Sequence, residues 1–360
     1  MNTMNFRSDN ESPAAPQILA ALQEANSGHA YAYGEDGVTS GMRNRFRETF
    51  ETDLEVFPVA TGTAANSLSI AQLAPAYGAV FCHQEAHLHA DECGGPEFYS
   101  GGAKVIPLSG ELAKIRLGTL GSAVAKMEAM GVHESQPSAV SISQATELGT
   151  VYKPNEIREI SRVARGRGMG LHMDGARLAN AVQRLGCSPA ELTWKAGVDI
   201  LSFGATKNGA MAAEAVVVFN SDWAAGLARR HKRAGHLFSK MRFMSAQLET
   251  YLKDDLWLQL AGRANRAADA LSAGLGRLAG VEVLYPVEAN EVFVRMPPPL
   301  ADGLKEAGYE FHLWPGSRDH YRLVTCFATR LEEVDAFLAL AKRLLGGLTV
   351  GVLAKGRGGS

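Results

Sequence analysis

Three short stretches hold residue types whose combination could do chemistry. HMDGAR, His172–Arg177, puts Asp174 at the end of an expected strand. Open α/β sheets bind ligands beyond the carboxyl ends of their strands, and a carboxylate there can hold a cationic ring nitrogen. SFGATKNG, Ser202–Gly209, carries Lys207 on a loop of small residues that lets another molecule come close to its amine. TGTAAN, Thr61–Asn66, sits at a strand-to-helix junction. Free N–H groups at a helix start attract phosphate, Gly62 gives the turn and Thr63 offers a hydroxyl. Each stretch also has an ordinary reading: Asp-Gly as a turn, Lys207 as a solvated loop lysine, and a threonine as a helix N-cap. The interval between Asp174 and Lys207 fits one helix and one strand, so both can reach the same sheet edge.

The elements that must position these residues are legible as an alternation. Leu54–Ala60, Ala79–Cys82, Lys104–Leu108, Ser138–Ser143, Gly170–Asp174, Asp199–Phe203 and Ala215–Phe219 are short apolar runs that read as strands. A helix is expected from about Pro154, with proline in its first turn and Ile157, Ile160 and Ala164 on one face. Strands alternating with helices predict a mainly parallel sheet covered on both faces. After about Asn220 helical sequence dominates to about Leu278. Val281–Leu284, Glu291–Val294 and Tyr321–Cys326 then read as strands, and Leu331–Leu345 as a last helix. Thr329 and Glu332 have the spacing of a capping box, and Leu331, Val334, Leu338, Ala341 and Leu345 form the apolar stripe. The expected fold class is α/β, with a large α/β domain followed by a smaller α+β domain.

Composition narrows the partners. A chain of 360 residues is comfortable for two domains. With 46% hydrophobic and 21% charged residues it reads as globular. A formal net charge of −2 argues against nucleic-acid or anionic-membrane partners. The start, MNTMNFRSDN, has no apolar core of a signal peptide, and AVVVF (Ala215–Phe219) is too short to span a bilayer. Cys82, Cys93, Cys187 and Cys326 make no C-x-x-C pair and a chain this long needs no disulfide, so a cytoplasmic setting is expected. The end, AKGRGGS, reads as a frayed tail.

Taken as a set, a phosphate cradle, a ring-nitrogen carboxylate and an imine-forming lysine are what an enzyme of pyridoxal 5′-phosphate needs in one fold. With these motifs in this order, the chain resembles the low-specificity L-threonine aldolases, of fold type I in the aspartate-aminotransferase-like superfamily. The likeness runs through FRSDN (Phe6–Asn10), YGED (Tyr33–Asp36), TGTAAN, AH…ECGG (Ala86–Gly95), HMDGAR, GATKNG, SKMR (Ser239–Arg242) and RLVT (Arg322–Thr325). It implies an N-terminal arm at 1–15 that contributes to the site, a large seven-stranded-type sheet domain at 16–255, a small C-terminal domain at 256–350 and a tail at 351–360. It implies Lys207 as the imine lysine, Asp174 as the pyridine-nitrogen partner, Gly62 and Thr63 at the phosphate, and His87 stacked on the ring. Arg242 would reach the phosphate from a neighbouring subunit. Ser8, Arg177 and Arg322 would bind the substrate carboxylate, with Arg177 also counted beside the cofactor. Tyr33 would line the pocket, and His133 would stand near the substrate hydroxyl. The implied reaction is cleavage of L-threonine, L-allo-threonine and other β-hydroxy-α-amino acids to glycine and an aldehyde. The implied assembly is a homo-oligomer, a dimer or a homotetramer built as a dimer of dimers.

Two stretches depart from the resemblance. QATE, Gln144–Glu147, stands where many members have a more Asn- and His-rich stretch, and the loop after His87 carries His89, Asp91 and Glu92. These departures leave open the preferred aldehyde and the base, for which His87 and His133 are the candidates. A preference for phenylserine-type substrates, or β-elimination on the same fold, is the main alternative. HQEAHLH, with His83 and His87 four apart, invites a metal-dependent hydrolase, but it lacks H-E-x-x-H and leaves Lys207 and Asp174 without a use, so no metal is expected. GRGMG (Gly166–Gly170) and GLGRLAG (Gly274–Gly280) follow helices rather than strands and read as helix C-caps, not dinucleotide fingerprints. A non-catalytic protein that binds pyridoxal 5′-phosphate is the last alternative.

Overall fold

The computed structural model describes residues 4–356. Counting strands of five or more residues, β1 (Glu55–Val59), β2 (Gly78–His83), β3 (Lys104–Leu108), β4 (Gln136–Ser143), β5 (Gly170–Gly175), β6 (Ile200–Gly204) and β7 (Glu214–Val218) form one seven-stranded sheet. Its order is β1-β7-β6-β5-β4-β2-β3. β7 runs antiparallel to both β1 and β6, and the remaining pairs are parallel. The inner strands β2, β5, β6 and β7 are buried along their whole length, which is why they read as continuous apolar runs rather than alternating ones. Both edge strands contain proline, Pro58 in β1 and Pro107 in β3, and among the inner strands β4 has Pro137 as its second residue. A residue without an N–H is tolerated where one side of the strand has no neighbour.

Helices of eight or more residues are α1 (Pro16–Ala25), α2 (Gly37–Phe50), α3 (Gly62–Leu73), α4 (Leu117–Met130), α5 (Pro154–Arg165), α6 (Leu178–Leu185), α7 (Arg242–Leu252), α8 (Leu256–Leu275), α9 (Pro298–Glu306) and α10 (Leu331–Gly356). In α5 proline occupies the first turn, Glu156 accepts from the Lys153 N–H at 2.7 Å, and Ile157, Ile160 and Ala164 are buried. α5 and α8 end at Gly166 and Gly276, so both glycine-rich stretches are helix ends. β8 (Glu291–Arg295) and β9 (His320–Val324) form the centre of a second, antiparallel sheet with the two-residue strands Glu282–Val283 and His312–Leu313. α8, α9 and α10 contribute Leu271, Leu300, Val334 and Phe337 to the core that also holds Val292 and Leu323 of this sheet.

Two details of α10 correct the reading of the sequence. The first turn is closed by Glu333, which accepts from the Arg330 N–H at 2.9 Å, while Thr329 turns back to accept from the Cys326 N–H at 3.0 Å. The expected Thr329–Glu332 box is displaced by one residue because Thr329 is used to end the preceding loop. The buried stripe consequently includes Phe337 and leaves Leu331 half exposed. Helical backbone continues to Gly356, through the start of the expected tail, whose last four residues lie outside the described residues.

The arm before α1 ties the two sheets together. Met4–Asn5 pairs in parallel with Tyr309–Glu310, and Phe6 inserts against Phe337 at 5.2 Å between ring centroids. Further along, the Ala15 N–H donates to the Gly209 carbonyl at 2.8 Å, beside the Lys207 loop. All four cysteines are free thiols. Among the described residues no helix is long and apolar enough to cross a membrane.

Candidate active site

β6 ends at Gly204 and the chain turns through Thr206–Asn208, which holds Lys207. Neighbours on both sides fix this turn. The Asn208 amide donates to the Tyr251 hydroxyl at 2.7 Å and the Trp257 carbonyl at 2.8 Å. Buried Glu214 accepts from the N–H groups of Ala205 and Thr206, both at 3.2 Å. Burial pushes the Glu214 carboxyl up to about 7. The Lys207 amine itself makes no hydrogen bond or ion pair with any described residue. A rigid loop that presents an uncommitted amine is suited to covalent attachment.

Asp174 lies at the carboxyl end of β5, one strand away. The two strand ends touch at Gly204, where a Cβ would lie 2.6 Å from the backbone of Ala176, so only glycine lets the Asp174 and Lys207 loops close on each other. Asp174 Oδ1 accepts from the Ala176 N–H at 3.0 Å and Oδ2 from the Asn66 amide at 2.8 Å. His172, two residues earlier, is clamped between the hydroxyls of Ser141 and Ser202 at 2.8 and 2.9 Å. Burial pulls its imidazole down to about 4, so it stays neutral.

From Asp174 a chain of contacts leads to His87. The Asn66 amide also donates to Glu92 Oε1 at 2.7 Å, and the same oxygen meets His87 Nδ1 at 2.8 Å. The hydrogen bond to Glu92 raises the His87 imidazole above its ordinary value, and burial raises the Glu92 carboxyl. The His87 side chain stays 41% exposed, so its ring reaches solvent while Glu92 is wholly covered behind it. The His87 N–H donates to Glu147 Oε1 at 2.9 Å, and the Ser143 hydroxyl donates to that oxygen at 2.5 Å.

α3 begins beside this group. Thr61 is its N-cap and accepts from the Ala64 N–H at 3.1 Å. The N–H groups of Gly62 and Thr63 have no partner among the described hydrogen bonds, and a Cβ at Gly62 would meet nothing within 4 Å. This is an open helix N-terminus of the kind that takes phosphate.

The arginines divide. Arg177 grips Asp9 with two parallel hydrogen bonds of 2.8 and 3.0 Å and lies 3.4 Å from Glu291. Burial alone would push Asp9 up, but the charge and hydrogen bonds of Arg177 outweigh it and hold the carboxylate below its ordinary value. Arg322, on β9, reaches Glu291 only at 3.9 Å, and its buried Nε has no hydrogen-bond partner. Arg177 is therefore committed inside the protein, whereas Arg322 keeps a donor for a ligand carboxylate. Ser8 caps the turn Asp9–Glu11, accepting from the Asn10 N–H at 3.2 Å, and so stands next to the Asp9–Arg177 pair.

Three sequence-named residues lie elsewhere. Tyr33 is half exposed under the Lys232 amine, and the Arg242 Nε donates to the Ala25 carbonyl at 3.0 Å. Ala25 ends α1, whose other end is at Gly209, so this group is about 15 Å from the Lys207 loop by helix length. His133 corrects an expectation. It is exposed in the turn Gly131–His133, ahead of the amino end of β4, which puts about 25 Å of strand between it and the carboxyl edge. Within this chain it does not reach the group around Asp174. Among the described residues no three His, Cys, Asp or Glu side chains are placed to hold a metal; His83 instead accepts from the Glu85 N–H.

Comparison with known proteins agrees with this geometry. Residues 5–297 match the beta-eliminating lyase family. The low-specificity L-threonine aldolase of Pseudomonas aeruginosa is 45% identical over 333 residues, 92% of this chain and 95% of that protein. The chain belongs to the low-specificity L-threonine aldolases of the beta-eliminating lyase family. A second such aldolase, from a Pseudomonas species, is also 45% identical, covering 88% of this chain and 90% of its own. The threonine aldolase of Leishmania major superposes with a TM-score of 0.89 at 27% identity, covering 95% of this chain and 99% of that one. Fold and family imply pyridoxal 5′-phosphate. The uncommitted Lys207 amine, the strand-end carboxylate of Asp174 and the open start of α3 fit that cofactor.

Reading the sequence did not single out Asn66, Asp9, Glu147 or Glu291 for the threonine aldolase site. Asn66 offered a faint signal only as the amide that closes the TGTAAN stretch; its burial, with all of Ala65–Ile70 in α3, is a product of the fold. Glu291 gave none, since one acidic residue at the head of a strand is commonplace.

Proposed function

We propose that the protein cleaves L-threonine and L-allo-threonine to glycine and acetaldehyde, with pyridoxal 5′-phosphate attached at Lys207. The observation that carries this is the approach of the loops that carry Lys207 and Asp174 at the Gly204–Ala176 backbone contact, together with the open start of α3. The names of the two relatives at 45% identity, both low-specificity L-threonine aldolases, support the substrate class.

When bound, the cofactor supplies a sink for the electron pair released as Cα–Cβ breaks. The residues of the chain do the rest. Asp174, steadied by Asn66 and the Ala176 N–H, holds a proton on the ring nitrogen. Gly62 and Thr63 present N–H groups to the phosphate. His87, oriented by Glu92, would lie against one face of the ring. Arg322 would take the substrate carboxylate beside Ser8 and the Arg177–Asp9 pair, and a carboxylate held there would fix the orientation of the substrate. Tyr33 and Arg242 complete the site of a neighbouring copy, in a dimer or dimer of dimers in the cytoplasm. Residues 256–350 close the cleft as a small domain.

The test is purified protein supplied with pyridoxal 5′-phosphate and L-threonine, with acetaldehyde and glycine measured together. Equimolar release of the two is expected. Formation of 2-oxobutanoate and ammonia instead would replace the aldolase reading with β-elimination, and turnover of phenylserine alone would move the substrate class.

A further inference from the structure

We propose that Glu147 is the group that takes the proton from the β-hydroxyl of the substrate, an assignment that rests on the aldolase reading above. Glu147 follows β4 at the carboxyl edge of the sheet, in the QATE stretch where the sequence departs from the more His-rich pattern. Its neighbours are the residues of the site: Oε1 accepts from the His87 N–H at 2.9 Å and from the Ser143 hydroxyl at 2.5 Å. Those two donors fix the carboxylate plane and leave Oε2, a buried oxygen with no hydrogen-bond partner. A buried carboxylate oxygen without a donor is costly to keep, so it points to a ligand that supplies one. A hydroxyl does.

Alternatives among the neighbouring groups are weaker. Glu92 also has an unpaired oxygen, but its side chain is wholly covered behind His87, whereas Glu147 keeps partial exposure. The His87 imidazole is held by Glu92 on one nitrogen and raised by that bond, which makes it a poorer acceptor. His133 lies beyond the far end of β4. Burial pushes the Glu147 carboxyl up to about 7, which matches a base working near neutrality. The ionisable groups that face it are Asp174, Cys82, Tyr152 and Arg177, besides the His87–Glu92 pair.

The step balances as follows. The β-hydroxyl gives its proton to Glu147 Oε2, and the O–H electron pair forms the carbonyl of the aldehyde. The Cα–Cβ pair stays with Cα and is held by the cofactor. Cα then takes up one proton to complete glycine, and Glu147 releases its own to solvent.

The experiment compares wild type with Glu147→Gln and Glu147→Asp in the cofactor-loaded enzyme. Glu147→Gln keeps the shape but cannot take a proton. Its kcat for threonine is expected to fall about a hundredfold or more, with KM changed by no more than about threefold. The rise of wild-type kcat with pH through about 7 should disappear, and Glu147→Asp should restore part of the rate. Cofactor absorbance and exchange of the glycine α-hydrogen with deuterium, which involve no β-hydroxyl, should be unchanged. In cofactor-free protein, difference infrared spectroscopy should show carboxyls titrating near neutrality, of which the Glu147 contribution is missing from Glu147→Gln while that of Glu214 remains. A Glu147→Gln enzyme with near-normal threonine cleavage overturns the proposal. So does joint loss of cofactor binding or glycine exchange, which would make Glu147 a residue that holds the site together. Failure of the aldolase reading would look different, as wild type that exchanges glycine without cleaving threonine.

Discussion

At the scale of single residues, the site separates groups that hold from groups that react. Arg177 and Arg322 share Glu291 as a neighbour, yet only Arg322 has a free buried donor. Arg322→Ala should raise KM for threonine about ten- to a hundredfold and leave cofactor binding intact, as read by steady-state kinetics. Arg177→Ala should instead destabilise the fold by about 3–5 kcal/mol in denaturant titrations, because it strands Asp9 and Glu291 as buried charges. Asp174→Asn should bind cofactor but lower kcat by about two to three orders of magnitude, and a near-normal rate would reduce Asp174 to a turn residue. Glu147 and Asp9 leave opposite signatures on stability. Glu147, raised from 4.5 to about 7, makes the folded chain bind more protons than the unfolded one in that window. Stability contributed at Glu147 is therefore lost as pH rises through the window, and Glu147→Gln should be more stable than wild type above about pH 7, by up to about 3 kcal/mol. Asp9 is lowered, so its contribution is present above its ordinary value and fades as pH falls. Urea denaturation of wild type, Glu147→Gln and Asp9→Asn at acid and alkaline pH, without cofactor, reads both signs.

Among the elements, two glycines show what the backbone is asked to do. Gly204 lets the ends of β5 and β6 meet, and a side chain there would collide with the backbone of Ala176, which cannot give as a flexible side chain can. Gly204→Ala should separate the Asp174 and Lys207 loops, with weaker cofactor retention and a lower melting temperature. Gly62 stands in open space at the start of α3. Gly62→Ala should leave the cofactor-free melting temperature within about 2 °C of wild type while weakening cofactor binding, since the added methyl occupies the place expected for phosphate. Equal effects of both changes on the cofactor-free protein would remove the distinction between a packing glycine and a cradle glycine.

For the whole molecule, the chain alone does not gather every residue assigned to the site. Tyr33 and Arg242 cluster near the end of α1, away from Lys207. If they serve a neighbouring copy, each site draws on two chains. Mixing a Lys207→Ala protein with an Arg242→Ala protein should then recover activity that neither has alone, because one hybrid site receives two intact halves. No recovery after subunit exchange, checked by sedimentation, would place Arg242 in the site of its own chain.

The sequence by itself determined the class of the fold and named the groups proposed to carry the chemistry. Periodicity is local, so the strands from Leu54–Ala60 to Ala215–Phe219 and the helix from Pro154 could be read to within a residue or two. Lys207, Asp174, Gly62 and Thr63 stood in short motifs whose residue types have few other joint uses. What the tertiary structure alone decided was which side chains meet across distance. Asn66 joins Asp174 to Glu92 over a separation in sequence that no pattern spans, and Asp9 crosses from the arm to bind Arg177. His133 looked eligible because position along the chain does not say which end of a strand a residue occupies relative to the site, and β4 carries it to the wrong edge. Glu147 looked like a mere departure from pattern because the feature that distinguishes it, a buried oxygen left without a donor, exists only once β2, β4 and β5 are packed side by side.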